Sequence, residues 1–309
     1  MTVFIPDMLV ASVTKTDAIL RQFKDLNVWR RGEERAPHKP LLVLLALGRL
    51  QAASERLLPF DEIEAPLTAL LEEFGPPRRS YHPELPFYHL QTDGVWEIQT
   101  DFPLTARKGS KNPLRSELRE FKVGGGFPEA IYSELRKRPE AVRELARQLL
   151  AAHFPESLHE GIAGAAGLDL SGTVRNVRRD GAFRSAVIEA WDHRCAFCGF
   201  GAMLDRADLA LDAAHIHWCQ FGGADSINNG LACCSIHHQA LDRGAISLSD
   251  DRRILVSSRF HGNEQVEPLF HALSGRPLRT PNRKEALPGE HVIDWHRRQV
   301  FRGEARDFR

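Results

Sequence analysis

The chain has 309 residues, more than one hydrophobic core usually organises, so two domains are expected. With 42% hydrophobic and 27% charged residues it has the composition of a soluble globular protein, and no apolar run approaches the roughly 20 residues needed to cross a bilayer. Its 41 basic and 41 acidic residues cancel, which excludes a globally basic nucleic-acid binder and leaves local patches to meet any such partner. Candidate patches are "RRGEER" (30–35), "PPRRS" (76–80), "TARKGSKNPLRSELR" (105–119) and "VRNVRRDGAFR" (174–184).

The N-terminus "MTVFIPDMLVASVTKTD" has acids at Asp7 and Asp17 and no basic leader region, so no signal peptide is expected and the protein is placed in the cytoplasm. From Thr14 to about Ala152 the pattern is mostly helical. "HKPLLVLLALGRLQAA" (38–53) carries Pro40 in a first helical turn and too many leucines for a surface helix, which marks a central helix. "LTALLEEFG" (67–75) is amphipathic and ends at a glycine followed by two prolines. "FYHLQTDGVWEIQ" (87–99) alternates around Asp93-Gly94 and predicts a β-hairpin. "GGGFP" (124–128) reads as a break, and "PEAVRELARQLLAAHF" (139–154) returns to helix. Helices plus a hairpin beside basic loops suit a winged-helix-like DNA reader.

"EGIAGAAGLDLSG" (160–172) is small and poor in large apolar groups, which places a linker there. A helix through "GAFRSAVIEAWDHR" (181–194) leads into the cysteines. All five cysteines lie between Cys195 and Cys234, and in a chain without a secretory leader such clustering points to metal rather than to disulfides. "CAFC" gives Cys195 and Cys198, and Cys234-Ser-Ile-His237 supplies a C-x2-H pair. Together they form a Cys3His set suited to one structural zinc. Cys233 is the rival third thiolate; it would give a C-x3-H spacing and is placed behind Cys234. Cys219 and Cys233 are read as ordinary small buried residues. His238 adjoins a zinc ligand and must leave in another direction, where Asp242, one helical turn on, can share a second cation with it.

The series His215, Asn229, His238, interleaved with "CAFC" and "CCSIHH", resembles the HNH nuclease motif and its ββα-metal fold. The resemblance implies that His215, at the end of the strand in "LDAAHIHW" (211–218), is a general base. It implies that Asn229 orients that base or touches the metal, and that His238 ligates Mg²⁺ or Mn²⁺. Many such motifs carry an acid just before the base, where this chain has Ala214; Asp242 is placed ahead of Asp212 as the acidic ligand. His153, His271, His291 and His296 match no pattern and are read as structural or exposed.

The first 155 residues are similar to the sulfur-binding domains of restriction endonucleases directed against phosphorothioated DNA. The resemblance runs through "LNVWRRGEERAPHKPLLVLLALGRL" (26–50), "FGPPRRSYHPELPFYHLQTDGVWE" (74–97) and "FKVGGGFP" (121–128). It implies a shallow apolar cup for the sulfur, with Tyr81, His82, Pro83, Leu85 and Pro86 as the cup and its rim. Backbone contacts would come from His38, Lys39 and Arg31, and further phosphate contacts from Arg107, Lys108 and Lys111. Sulfur is larger and more weakly hydrated than oxygen, so an apolar wall accepts it at lower desolvation cost.

The expected fold is α+β: a mainly helical, hairpin-bearing N-terminal reader (1–158), a linker (159–173) and a C-terminal ββα-metal HNH domain with a structural zinc (174–309). The expected function is type IV restriction, hydrolysis of double-stranded DNA near a phosphorothioate, with a homodimer to cut both strands and no membrane partner. Two rivals remain open at this point. One is an HNH enzyme reading methylated or hydroxymethylated cytosine, a mark commonly read by flipping the base into an aromatic cage; Phe87, Tyr88 and Trp96 lie near the expected hairpin, although the alternation assigns some of them to the core. The other is a DNA-binding regulator with an inactive zinc knuckle.

Overall fold

A computed structural model of the chain describes residues 14–24, 26, 33–171 and 181–306. Helix α1 (Lys15–Lys24) precedes α2 (His38–Gln51), in which every position from Leu41 to Leu47 is buried, as expected for a helix apolar all round. Strand β1 (Leu57–Pro59) leads directly into α3 (Phe60–Phe74), which starts ahead of the amphipathic stretch read from the sequence. Short α4 (Glu84–His89), β2 (Glu97–Gln99), α5 (Arg115–Glu120) and β3 (Gly124–Gly126) follow, then α6 (Glu129–Lys137) and α7 (Pro139–His153). Helix α8 (Glu156–Ala165) closes this part.

Two expectations are corrected here. Residues 87–99 do not form a hairpin: the stretch is helical through Asp93, turns at Gly94 with φ +72°, and only Glu97–Gln99 is extended. The alternation misled because Phe87, Leu90 and Val95 are buried in the first core on successive helical turns and the turn beyond. Nor is "GGGFP" a break. Its three glycines are the central strand of an antiparallel sheet ordered β1-β3-β2. A Cβ on Gly125 would lie 2.6 Å from the Phe87 ring, so the missing side chain is what lets Phe87 and Trp96 pack onto the strand.

The segment expected as a linker at 159–173 is helical to Ala165, with Ile162, Ala163, Ala166 and Leu168 in the first core. Its small residues serve close approach rather than flexibility: a Cβ on Gly48 of α2 would come within 1.9 Å of the Ala166 carbonyl oxygen. The expected domain start at Val174 falls outside the described residues.

The C-terminal part begins with α9 (Gly181–Ala190) and a two-residue hairpin, β4 (Met203–Leu204) with β5 (Ala207–Asp208). Strands β6 (Leu211–His215) and β7 (Gly230–Cys234) pair antiparallel, Leu211 facing Cys234 and His215 facing Gly230, and α10 (Ser235–Asp242) follows at once. This is a ββα unit. A second hairpin, β8 (Ile246–Leu248) with β9 (Ile254–Val256), short α11 (Val266–Leu269) and α12 (Glu290–Gln299) complete it around a separate core. Among the described residues no helix is long and apolar enough to cross a membrane.

The two parts are packed together. Trp218, Trp295 and Val300 of the C-terminal part sit in the first core. Arg35, only 1% exposed, lies over the Trp218 ring at 4.0 Å and donates to the carbonyls of Gln299 (2.9 Å) and Phe74. A buried guanidinium held by carbonyls and an indole, rather than by a carboxylate, is tolerated because each partner accepts its charge in part. Arg302 adds donations to the carbonyls of Glu72, Glu73 and Gly75 from the other side of the seam.

A candidate nuclease cavity and a candidate sulfur pocket

Cys195, Cys198, Cys234 and His237 offer ligand atoms that all lie within 4.8 Å of one another, so the Cys3His set read from spacing converges on one point that can hold a metal ion. The Cys234 Sγ to His237 Nδ1 distance is 3.1 Å, and His237 Nε2 donates to the Leu269 carbonyl at 2.9 Å. That carbonyl fixes the tautomer and turns Nδ1 towards the sulfurs, as metal-ligating histidines require. Cys233 is buried in the second core, where burial pushes its thiol up. Cys219, expected to be buried, is exposed.

His238 points away from the cluster. Its Nε2 lies 3.4 Å from Asp242 Oδ2, and both residues line a cavity of about 320 Å³ with His215, Asp212, Trp218 and Ser157. The two imidazoles of the motif therefore open into one space. Burial raises the Asp242 carboxyl above its ordinary range, opposed by His238 and by the hydroxyl of Ser157, which donates to it. Asp212 is more than half exposed and paired with Arg184 at 2.9 Å, while Ala214 is fully buried in the second core. An acid at 214 would face that core and not the cavity.

His215 is held by residues the sequence reading missed. Its Nε2 is 2.7 Å from Asp225 Oδ1, and its ring stacks on Phe183 at 4.0 Å and 11°. Asn229, expected to orient this base or touch the ion, has its side-chain amide bonded to the loop after β6. Its Oδ1 accepts from the His217 amide (2.8 Å) and its Nδ2 donates to the carbonyls of His217 and Ala224 (both 2.9 Å), which fastens the loop after β6. The signal for Asp225 was its place in the turn-rich "FGGADSINN" (221–229), which nothing in the periodicity distinguishes. Ser157, at the start of α8, shows that the N-terminal part forms one wall of this cavity.

A second cavity, about 530 Å³, lies in the N-terminal part and is lined by His38, Lys39, Arg78, His82, Leu85 and Pro86, among others. Lys39 pairs with Asp93 at 2.6 Å. His82 is fixed between Ser80 Oγ (3.1 Å) and the buried Glu84 carboxylate (3.0 Å). Of the residues expected in the cup or on its rim, His82, Leu85 and Pro86 line this cavity, while Pro83 is buried and Tyr81 hydrogen-bonds to the backbone at Arg78 and Pro76. Arg107, Lys108 and Lys111 stand exposed on a tight loop, and Asn112 ties that loop to His89 of the pocket wall at 2.8 Å. Arg31 lies outside the described residues. Phe87 and Trp96 are 0% and 2% exposed and meet edge to face at 5.8 Å, so these two rings build the core and are not open to a flipped base.

His38 in this pocket and His296 at the seam are both held down to about 4, chiefly by burial. In the unfolded chain each takes up a proton near its ordinary value of 6.5, while the folded protein resists until about 4. Stability from both is therefore complete above pH 6.5 and is lost as pH falls towards 4, by about 3 kcal/mol for each. Urea midpoints measured from about pH 7 to about pH 4.5 are expected to fall steeply through this window; a flat profile would contradict the burial of both rings.

Residues 16–171, half of the chain, match the family model of the ScoMcrA-like DNA sulfur-binding domain. The chain belongs to that family. Residues 195–249 match an HNH endonuclease model, so the sulfur-binding domain is joined to a nuclease domain. Among solved structures, the sulfur-binding domain of ScoMcrA complexed with phosphorothioated DNA is similar at 27% identity and TM-score 0.43, over 48% of this chain and 94% of that one. The phosphorothioation-dependent type IV restriction endonuclease ScoMcrA itself is similar at 26% identity and TM-score 0.41, over 56% of this chain but only 38% of that one. The modification-dependent restriction endonuclease TagI shares 26% identity at TM-score 0.32, over 43% of this chain and 41% of that one. No curated protein matches.

Proposed function

We propose that this family member is a modification-dependent DNA endonuclease that holds phosphorothioated double-stranded DNA in the pocket of its N-terminal part and hydrolyses a nearby phosphodiester in the HNH cavity. The observation that carries this reading is the shared cavity of His215, His238 and Asp242 beside a closed Cys3His cluster. His215 removes a proton from the attacking water, and Asp225 steadies the imidazolium that results. His238 and Asp242 are the residues that would hold a divalent cation, Mg²⁺ or Mn²⁺, which would supply charge stabilisation to the departing group. The Cys3His cluster, with four protein ligands and no open position, suits a structural Zn²⁺. Asn229 acts on the site through the loop it fastens.

In the reader, Leu85 and Pro86 present the apolar wall to sulfur, while His38, Lys39 and His82 meet the flanking backbone and Arg107, Lys108 and Lys111 reach further phosphates. A winged-helix-like docking mode, a homodimer for double-strand cleavage and a cytoplasmic setting belong to the same reading.

The pocket is tested by binding. Leu85→Asn is expected to lower the preference for a phosphorothioated over an unmodified duplex by about tenfold or more, a loss of ~1.4 kcal/mol. An unchanged preference in competition gel shifts would remove Leu85 from the sulfur contact.

A further inference from the structure

At the seam between the two parts, three side chains with metal-binding chemistry meet, none of them among the lining of either cavity. Glu33 comes from the N-terminal part, His217 and His291 from the C-terminal part, and their ligand atoms all lie within 4.8 Å of one another. Glu33 Oε2 and His291 Nε2 are 3.3 Å apart. That matches the edge of a tetrahedron with ligands at roughly 2.0–2.1 Å, whose corners stand roughly 3.3 Å apart.

His217 is prepared for the third corner. It is 1% exposed, its ring lies on Trp295 at 4.2 Å and 24°, and its Nε2 donates to the Phe221 carbonyl at 2.9 Å. With Nε2 carrying the proton, Nδ1 carries the lone pair. A histidine with one nitrogen anchored on a backbone carbonyl and its plane locked by packing has the support seen behind metal-ligating imidazoles. The main chain of Glu33 is fixed as well, since Trp295 Nε1 donates to its carbonyl at 2.9 Å. The side chains of Glu33 and His291 are exposed.

We propose that Glu33, His217 and His291 form a further site for a borderline divalent cation, Zn²⁺ by ligand type, which clasps the reader to the nuclease part. Two imidazoles and a carboxylate suit Zn²⁺, Co²⁺ or Ni²⁺ over Mg²⁺, and the solvent side leaves a fourth position for water. The cation joins residues far apart in sequence, so it favours the docked arrangement by mass action. An ordinary surface ion pair between Glu33 and His291 is the competing reading, and it needs no metal.

The test uses the full chain in a His238→Ala background, which removes the catalytic cation position, and Zn²⁺ or Co²⁺ alone as the probe. Two ions per chain are expected in His238→Ala by equilibrium dialysis. The second is expected to bind at least about tenfold more weakly when His291→Ala or Glu33→Gln is added, as for loss of a support to a bound ion. The second Co²⁺ equivalent should add visible absorption without the sulfur-to-cobalt charge-transfer band of the first. Glu33 and His291 are exposed, so both double variants should fold, as unchanged melting without added metal would verify. Equal binding of the second ion by all three proteins, or no second ion in His238→Ala, would overturn the site. No DNA enters this experiment, so its outcome is independent of the proposed nuclease function.

Discussion

Replacing His215 by alanine is expected to slow DNA cleavage by about 10²- to 10⁴-fold while leaving the binding of phosphorothioated DNA unchanged. The side chain is largely buried against Phe183 but faces the cavity, so its removal enlarges a polar space and opens no hole in either apolar core. Without the imidazole, activation of the water is left to the cation and solvent, and the DNA contacts are untouched, which makes the loss one of rate and not of affinity. Asp225→Asn should give a smaller loss. Its signature is a shift of the acidic limb of the pH–rate profile to lower pH, since an amide no longer favours the imidazolium. Wild-type cleavage by His215→Ala would remove it as the base; an unshifted profile in Asp225→Asn would remove its pairing with His215.

Cys198→Ser is expected to release the structural ion and unfold the C-terminal part. The second core is small and its elements are short; β8 and β9 have three residues each, and Cys195 belongs to that core directly. A closed zinc shell contributes about 10–16 kcal/mol to folding in small zinc domains, more than a core of this size can lose. Because Trp218 and Trp295 sit in the first core and Arg35 stacks on one of them, the damage should spread. Proteolysis should open both sides of the seam, and the thiolate-bound ion should be lost. Retention of the ion and a wild-type digestion pattern would contradict the assigned shell. Cys233→Ser, by contrast, should keep the ion, because Cys234 and not its neighbour faces His237.

Much of the nuclease part was legible because its signals are local. The Cys195–Cys198 spacing places two donors on a tight turn and the Cys234–His237 spacing places two at the start of α10, and those pairs converge as the spacings require. His238 and Asp242 fall one helical turn apart on α10, which places them on one face whatever surrounds the helix. The central helix α2 was equally plain, since leucine on every side leaves burial as the one outcome. The failures were non-local. Alternation at 87–99 looked like strand because the third dimension decides which turns of a short helix are buried. Small residues at 160–172 looked like a linker because close packing of the segment around Ala166 against Gly48 demands the same composition as flexibility. Asp225 and Ser157 carry no pattern at all; they matter only through the segments that fold back to His215 and Asp242. The docking of the two parts through Arg35 was hidden for the same reason, its partners lying at Phe74, Trp218 and Gln299.

A matched pair of plasmids, identical except for phosphorothioate linkages, incubated with the full chain and Mg²⁺ or Mn²⁺ gives the plainest reading of whether pocket and cavity act together. Linearisation or nicking of the modified plasmid, with the unmodified one left intact, is the expected result. Equal cutting of both, or cutting of neither while the modified DNA is bound, would contradict the union of sulfur reader and HNH nuclease in this chain.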